Sequence, residues 1–260
     1  MDVALAGGKV NAAVIGEGRS IVLLHSLLAD RASFDRIELQ LSKRFRVVIP
    51  ELPGFGLSAA TEGGIASVAE RIAEAVRDIC PAERPILLGN GYGGFVALQL
   101  AILYPEIASR LVLADCGAKF SEEGAAAFRS MEAASKAKGL GVLADTAMLR
   151  LFAPDFQAAN PSIMNERRAA FLATDLQVFQ SACAALAQLD LRGLLENVSI
   201  PVLVLVGEKD EATPPFMSRE LAAGLPNARL TILPGCAHVP QLQSPEMFLD
   251  AVFPFLEAAD

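Results

Sequence analysis

A chain of 260 residues is long enough for one large α/β domain or two small ones, and 53% hydrophobic residues can supply a sizeable core. A formal net charge of −8 without a basic run argues against nucleic acid and anionic membrane surfaces as partners. No apolar run reaches membrane-spanning length and the N-terminus lacks a signal-peptide pattern, so we expect a cytoplasmic protein.

The first part of the chain alternates between strand and helix patterns. In chain order these are an antiparallel strand in 9–18, a buried strand in 21–26, a helix in 33–45, a buried strand and Pro/Gly loop in 46–58, a helix in 65–80, a strand in 85–89, an apolar helix in 92–105 and a strand in 110–116. Continuously apolar strands between helices indicate a parallel sheet that is covered on both faces.

Residues 119–192 have helical spacing without a strand pattern, and the α/β alternation then resumes. A strand in 200–210, a helix in 214–226, a strand in 228–238 and a closing helix in 244–260 complete the chain. We therefore predict a core domain made of 1–118 and 193–260, with a helical insertion at 119–192.

The cysteines and histidines give no sign of a metal site. Four cysteines are scattered without a C-x-x-C pair, which indicates free thiols. Because there are only two histidines and no paired cysteines, we expect no metal.

A glycine-rich segment between the third buried strand and the apolar helix allows two interpretations. Gly89-Asn90-Gly91-Tyr92-Gly93-Gly94 fits the dinucleotide fingerprint G-x-G-x-x-G, and Asp115 lies where such a fold places its ribose-binding acid. The same segment differs by one residue from G-x-S-x-G, the turn that carries a hydrolase serine, with Gly91 at the serine position. Several strands precede the fingerprint, which does not favour the dinucleotide interpretation.

Motifs elsewhere in the chain favour the hydrolase interpretation. They are LLHSLLAD in 23–30, ELPGFGLS in 51–58, LLGNGYGG in 87–94, LVGEKDEATPP in 205–215 and LPGCAHVPQLQSPEMF in 233–248. With these motifs the chain resembles the α/β-hydrolase family, and within it the 3-oxoadipate enol-lactonase-like proteins. One departure is Glu51, where the family has aspartate, and the more important one is Gly91.

The resemblance implies a mostly parallel central sheet flanked by helices, with 119–192 as a helical cap. It places the catalytic acid at Asp210 and the base at His238, so that positions 91, 210 and 238 keep the family order of nucleophile, acid and histidine.

The resemblance also implies an oxyanion hole and a substrate-binding loop. The oxyanion hole would be formed by the backbone N–H groups of Leu27 and Tyr92, with His25 and Ser26 on the substrate side. His25 is expected to fix the loop rather than to take part in chemistry. A small-molecule substrate and no cofactor are implied, and a homo-oligomer stays open.

The glycine at position 91 decides the mechanism. Glycine relaxes a turn that would strain other residues, but it carries no hydroxyl. We therefore expect His238 to activate a water molecule for attack on a small lactone, ester or dicarbonyl compound. A displaced nucleophile at Ser26 is the minority interpretation.

Other functions stay open at this point. They are proton transfer without acyl transfer, as in a lyase, an isomerase or a cofactor-free oxygenase, ligand binding without catalysis, and a glycine introduced by design to trap a substrate. Asp115 is expected in a strand-end hydrogen-bond network. The adjacent Arg167 and Arg168 are expected at the surface, with contact to a substrate carboxylate as the alternative.

Overall fold

The computed structural model describes residues 1–258, so the last two residues of the predicted core domain and closing helix lie outside the described range. Within it, the strands are β1 Asp2–Leu5, β2 Val10–Ile15, β3 Ser20–Leu24, β4 Arg46–Pro50, β5 Ile86–Asn90, β6 Arg110–Ala114, β7 Val202–Gly207 and β8 Ala228–Leu233. They form one sheet in the order β1-β2-β4-β3-β5-β6-β7-β8. The pairs β1–β2 and β2–β4 are antiparallel, and the others are parallel.

The helices are α1 Glu38–Leu41, α2 Gly64–Ile79, α3 Tyr92–Leu103, α4 Glu122–Lys138, α5 Ala144–Leu151, α6 Pro154–Ala159, α7 Pro161–Leu172, α8 Leu176–Gln188, α9 Pro215–Gly224, α10 Pro240–Gln243 and α11 Pro245–Leu256. Short 3-10 helices lie at Arg31–Phe34, Leu140–Leu143 and Arg192–Asn197. The architecture is the predicted α/β-hydrolase fold, with a mostly parallel sheet between helices.

Both faces of the sheet are covered, which explains the continuously apolar strands. In β3, Val22 and Leu24 belong to the hydrophobic cluster that also contains residues of α2 and α3. Ile21 and Leu23 point the other way, into the cluster that contains residues of α11. Successive side chains of a strand alternate between faces, so a strand buried on both sides needs apolar residues at every position.

Two elements differ from the sequence prediction. Strand β1 was not predicted, and it pairs with β2 through a tight turn. The predicted helix in 33–45 is broken into a 3-10 turn and the four-residue α1. Phe34, Ile37 and Leu41 are nevertheless fully buried, because two short segments place these side chains on the same face of the sheet.

Between β6 and β7 the chain forms helices α4 to α8, which lie within the range predicted for the insertion and are called the cap below. Helix α4 packs against α8, and α8 also contacts α2 of the core. At the base of this cap, Lys119 forms an isolated β-bridge and a 3.0 Å ion pair with Asp190. Within residues 1–258 no single helix meets the length and apolarity needed to cross a membrane, although the bent pair α7 and α8 meets them together.

Candidate active site

The turn between β5 and α3 is built on Gly91. Its backbone has φ = 54° and ψ = −119°, and its N–H donates to the carbonyl oxygen of Ala114. A residue with a side chain held in such a backbone costs on the order of 1–3 kcal/mol, whereas glycine adopts it freely. The turn therefore has the sharp strand-to-helix geometry expected of a nucleophile elbow.

The neighbouring glycines are explained by close packing within the protein. A Cβ atom on Gly93 would lie 2.1 Å from the carbonyl oxygen of Leu24, and one on Gly89 would lie 2.2 Å from that of Gly93. These approaches bring the elbow against the end of β3. The G-x-G-x-x-G pattern thus follows from the elbow itself, and no pyrophosphate is needed to account for it.

Asp115, the acid of the dinucleotide interpretation, is committed to the interior. It is fully buried; one carboxyl oxygen accepts the N–H of Gly207 at 2.8 Å, and the other accepts the side-chain amide of Asn90 at 3.2 Å. Burial, and then the nearby charge of Asp210, raises the pKa of Asp115 well above its usual value. A fully buried carboxyl group whose two oxygens both accept hydrogen bonds inside the protein cannot serve as a ribose ligand, so Asp115 has a structural role beneath the site.

Asp210 and His238 follow β7 and β8, at the carboxyl edge of the sheet, where ligands bind in α/β folds. Their side chains meet: His238 Nδ1 lies 2.9 Å from Asp210 Oδ2. Both residues are buried, and Asn90 donates to the carbonyl oxygen of His238 at 2.9 Å. A carboxylate at this position holds Nδ1 protonated and leaves Nε2 as the acceptor.

The carboxylate of Asp210 is kept ionised by its surroundings. Burial by itself raises the pKa of Asp210. The nearby His238 and the hydrogen bonds to the carboxylate lower this pKa by more than burial raises it, so the net shift is downward. The hydroxyl of Thr213 donates to Oδ2 at 2.6 Å, and the N–H groups of Ala212 and Thr213 donate to Oδ1 at 2.8 and 3.0 Å. Several donors thus hold this carboxylate on the Nδ1 side of the imidazole ring.

On its other side, the imidazole faces Ser26. The Oγ atom of Ser26 lies 3.3 Å from His238 Nε2, and the serine is 2% exposed. A Cβ atom at Gly91 would lie 2.4 Å from that Oγ and 2.7 Å from Nε2. The sequence analysis predicts Ser26 among the substrate contacts; the structure places its hydroxyl against His238, in the space beside Gly91.

Two backbone N–H groups of residues in the cavity wall are available as hydrogen-bond donors. Within residues 1–258, neither the N–H of Leu27 nor that of Tyr92 has a protein acceptor, and both residues line the cavity next to His238. The two segments are held together because the N–H of Gly93 donates to the carbonyl oxygen of His25 at 3.0 Å. Preorganised N–H donors of this kind stabilise a developing negative charge on a carbonyl oxygen.

His25 does not fit the predicted substrate contact. It is fully buried and is absent from the cavity wall. Its Nδ1 lies 3.0 Å from the carbonyl oxygen of Ser26, and its Nε2 accepts the N–H of Leu52 at 3.1 Å. Burial lowers the pKa of His25, against smaller opposing contributions, so the ring is neutral. His25 instead fixes the loop that carries Ser26 and Leu27.

A small cavity of about 40 Å³ lies between cap and core and is partly open to solvent. Its wall is mostly apolar and consists of Ser26, Leu27, Leu28, Gly91, Tyr92, Phe95, Phe120, Phe128, Met131, Arg150, Leu186, Ala212, Thr213 and His238. Arg150 is half-buried, and its guanidinium group has no ion-pair or hydrogen-bond partner within the described chain. Nothing in the sequence distinguishes this arginine from a surface residue of an amphipathic helix.

The adjacent arginines of the sequence analysis lie elsewhere. Arg167 is buried in ion pairs with Asp30 and Glu166, both at 2.6 Å, which connects α7 of the cap to the loop after β3. Arg168 pairs with Asp145 at the surface. Neither lines the cavity, so the predicted alternative of a carboxylate contact at these residues is not supported.

Comparison with known proteins agrees with this geometry. The model of the alpha/beta hydrolase family matches residues 21–251. The 3-oxoadipate enol-lactonase 2 of Acinetobacter baylyi is 30% identical over 164 residues, which cover 63% of this chain and 60% of that protein. The pimeloyl-[acyl-carrier protein] methyl ester esterase of Vibrio cholerae is 27% identical, over 93% of this chain and 96% of that protein.

Solved structures give the same result. The enol-lactonase from Burkholderia xenovorans LB400 superposes with a TM-score of 0.91 at 26% identity, and the match covers 99% of this chain and 100% of that chain. Sheet order, elbow, dyad and sequence similarity lead to one conclusion: the protein belongs to the α/β-hydrolase family.

Proposed function

We propose that this protein hydrolyses small carboxylic esters or lactones that carry an anionic group. The observation that carries the proposal is the convergence of three groups on one apolar cavity: the Nε2 atom of His238 and the unpaired N–H groups of Leu27 and Tyr92. The base and the oxyanion donors are the two components that acyl transfer needs besides an attacking oxygen. Similarity to an enol-lactonase and to a methyl ester esterase supports both bond types.

The reaction follows from the positions of these groups. Nε2 of His238 accepts the proton of the attacking oxygen while that oxygen bonds to the carbonyl carbon. The carbonyl oxygen becomes negative and is held by the two N–H groups. His238 then returns the proton to the leaving oxygen, and Asp210 stabilises the imidazolium between these steps. The sequence-based hypothesis makes a water molecule beside Gly91 the attacking group.

Arg150 supports an anionic substrate. Arg150 lines the mostly apolar cavity, and its guanidinium group has no carboxylate partner in the described chain, so a ligand can supply one. Hydrogen bonds to charged groups contribute about 1.5–3 kcal/mol, and this arginine can make two parallel bonds to one carboxylate. A substrate with a carboxylate opposite its scissile bond would be oriented by Arg150 and His238 together.

A matched pair of chromogenic substrates tests the proposal. Mono-4-nitrophenyl glutarate carries a free carboxylate, and its methyl-capped counterpart does not. We expect His238→Ala to lower kcat/KM for both by about 10²–10⁴-fold, the usual contribution of a general base. Arg150→Gln should lower kcat/KM about 10–100-fold for the charged ester alone.

Arg168→Gln is the matched control, because it removes the same charge from the cap outside the cavity. Turnover that survives His238→Ala unchanged would contradict the mechanism. A panel of esters and lactones, an enol-lactone included, that the protein binds without converting would identify it as a binding protein instead.

A further inference from the structure

The proposed hydrolysis leaves open which oxygen attacks, and the structure offers a side chain for this role. Ser26 follows β3 at the carboxyl edge of the sheet, lines the cavity and places its Oγ 3.3 Å from Nε2 of His238. Asp210 lies on the far side of the same ring, 2.9 Å from Nδ1. Hydroxyl, imidazole and carboxylate therefore stand in the order that an activated serine needs.

The protonation state of the ring supports this order. Several donors keep Asp210 ionised, so its carboxylate can only accept, and Nδ1 must carry the proton. Nε2 is then a free acceptor, and the hydroxyl of Ser26 donates to it. The pair is thus poised to move a proton from Oγ to Nε2.

Gly91 provides the space for this hydroxyl. A Cβ atom at position 91 would lie 2.4 Å from Oγ and 2.9 Å from Cβ of Ser26, far inside contact distance. A side chain on the elbow and the present conformation of Ser26 therefore exclude each other. The oxygen that faces the base comes from the β3 loop rather than from the elbow.

Other candidate nucleophiles fit less well. The hydroxyl of Thr213 is bonded to Asp210 at 2.6 Å and lies nearer Nδ1, on the side of the ring away from the acceptor nitrogen. Cys116 is fully buried and does not line the cavity, and burial raises the pKa of its thiol. Tyr92 has no hydrogen bond to His238.

We propose that Ser26 is the catalytic nucleophile of this hydrolase and forms an acyl-enzyme intermediate. His238 takes the hydroxyl proton as Oγ bonds to the carbonyl carbon, and the oxyanion forms beside the N–H groups of Leu27 and Tyr92. The tetrahedral intermediate collapses as the leaving oxygen takes that proton from His238. Water then attacks the Ser26 ester, gives a proton to His238, and releases the acid while Oγ recovers its proton. This inference rests on the proposed function.

Labelling with a fluorophosphonate tests the nucleophile independently of the substrate. We expect one phosphonyl group per chain, mapped by mass spectrometry to Ser26, and none in Ser26→Ala or His238→Ala. Ser33→Ala is the matched control, since the hydroxyl of Ser33 is buried without a hydrogen-bond partner in the described chain and lies outside the cavity; this variant should be labelled like the wild type. No label, or a label on another residue, overturns the proposal.

A second variant tests position 26 by a gain of reactivity, which an unfolded protein would not show at one site alone. Ser26→Cys keeps an attacking atom beside His238 in the cavity wall, and iodoacetamide should alkylate that thiol much faster than the four natural cysteines, which are buried and do not line the cavity. Equal rates would contradict an activated position 26.

Kinetics separate this inference from the proposed function. Three esters with one acyl group and different leaving alcohols, hydrolysed with added methanol, should give the same ratio of methyl ester to acid, because they share one acyl-enzyme. If Ser26→Ala keeps wild-type turnover while His238→Ala loses it, water is the nucleophile and the hydrolase function stands. Label on Ser26 without turnover of any ester or lactone would leave the nucleophile standing and refute the substrate proposal.

Discussion

Replacing Gly91 by alanine should destabilise the fold through two separable terms. The backbone at φ = 54° disfavours any side chain, at a cost on the order of 1–3 kcal/mol. The new methyl group would also meet Ser26 Oγ at 2.4 Å and His238 Nε2 at 2.7 Å, and overpacking of this kind costs about 1–3 kcal/mol. We expect a total loss of about 2–6 kcal/mol in the free energy of unfolding.

A double-mutant cycle isolates the contact with Ser26. In Ser26→Ala the backbone cost of Gly91→Ala persists, but the nearest obstacle, the hydroxyl, is gone. The double variant should therefore be more stable than the sum of the single losses by about 1 kcal/mol, within the range of 0.5–3 kcal/mol for residues in contact. The measurement is urea unfolding with linear extrapolation, applied to the wild type, both single variants and the double variant.

The cycle has a built-in control and a clear contrary result. Gly91→Ala combined with Ser33→Ala should be additive to within about 0.3–0.5 kcal/mol, since the two sites share no partner. If Gly91→Ala and Ser26→Ala were equally additive, the hydroxyl of Ser26 would not occupy the space beside the elbow. The geometry behind the proposed nucleophile would then be refuted.

Three further predictions concern the same network. Thr213→Val should lose about 1.5–3 kcal/mol of stability near neutral pH in urea unfolding, because the ionised Asp210 loses a charged hydrogen bond; Thr213→Ser should keep most of it, and an equal loss would contradict this. The pKa of Asp115 is raised in the folded state, whereas in the unfolded chain it is about 3.9. Between these two pKa values the folded state binds the extra proton, so the free energy of unfolding falls as the pH rises, by up to about 1.4 kcal/mol per pH unit. Asp115→Asn should remove that decline when unfolding is compared at pH 5 and 7.5, and an unchanged slope would show that Asp115 is ionised. Gly91→Ser should gain less esterase activity than Gly91→Ser with Ser26→Ala, in which the atom nearest to the added side chain, the Ser26 hydroxyl, is gone; the reverse order would show that the two positions do not compete.

Local sequence patterns predict much of this structure. Runs such as β5 and β6 are apolar at every position because both sheet faces are covered, and this pattern alone indicates buried parallel strands. The acid and histidine motifs place Asp210 and His238 just after strands, so adjacent parallel strands bring them to one edge. These features depend on residues close in sequence or on the alternation of whole elements, which periodicity records.

Local sequence patterns do not predict what the side chains of Ser26, His25 and Arg150 contact. Ser26 and His238 are 212 residues apart, and their contact depends on the sheet order and on the rotamer that the space at Gly91 allows. His25 has a side chain that could contact a ligand, but its Nε2 atom accepts the N–H of Leu52, and the residue holds its loop in place instead. Arg150 reaches the cavity only through the packing of the cap, which helical spacing does not specify.

The pairing of β3 with β5 brings positions 26 and 91 together at one edge of the sheet. The strands are parallel neighbours with Leu24 opposite Gly89, so the segments that follow them leave the sheet side by side. The N–H of Gly93 bonds to His25, and the missing side chain of Gly93 lets the two backbones touch. Positions 26 and 91 consequently share one small space in front of Nε2. The proposed reaction requires a single oxygen in that space; because Gly91 contributes only a hydrogen atom, Ser26 would supply the oxygen while His238, Asp210 and the N–H groups of Leu27 and Tyr92 keep their places.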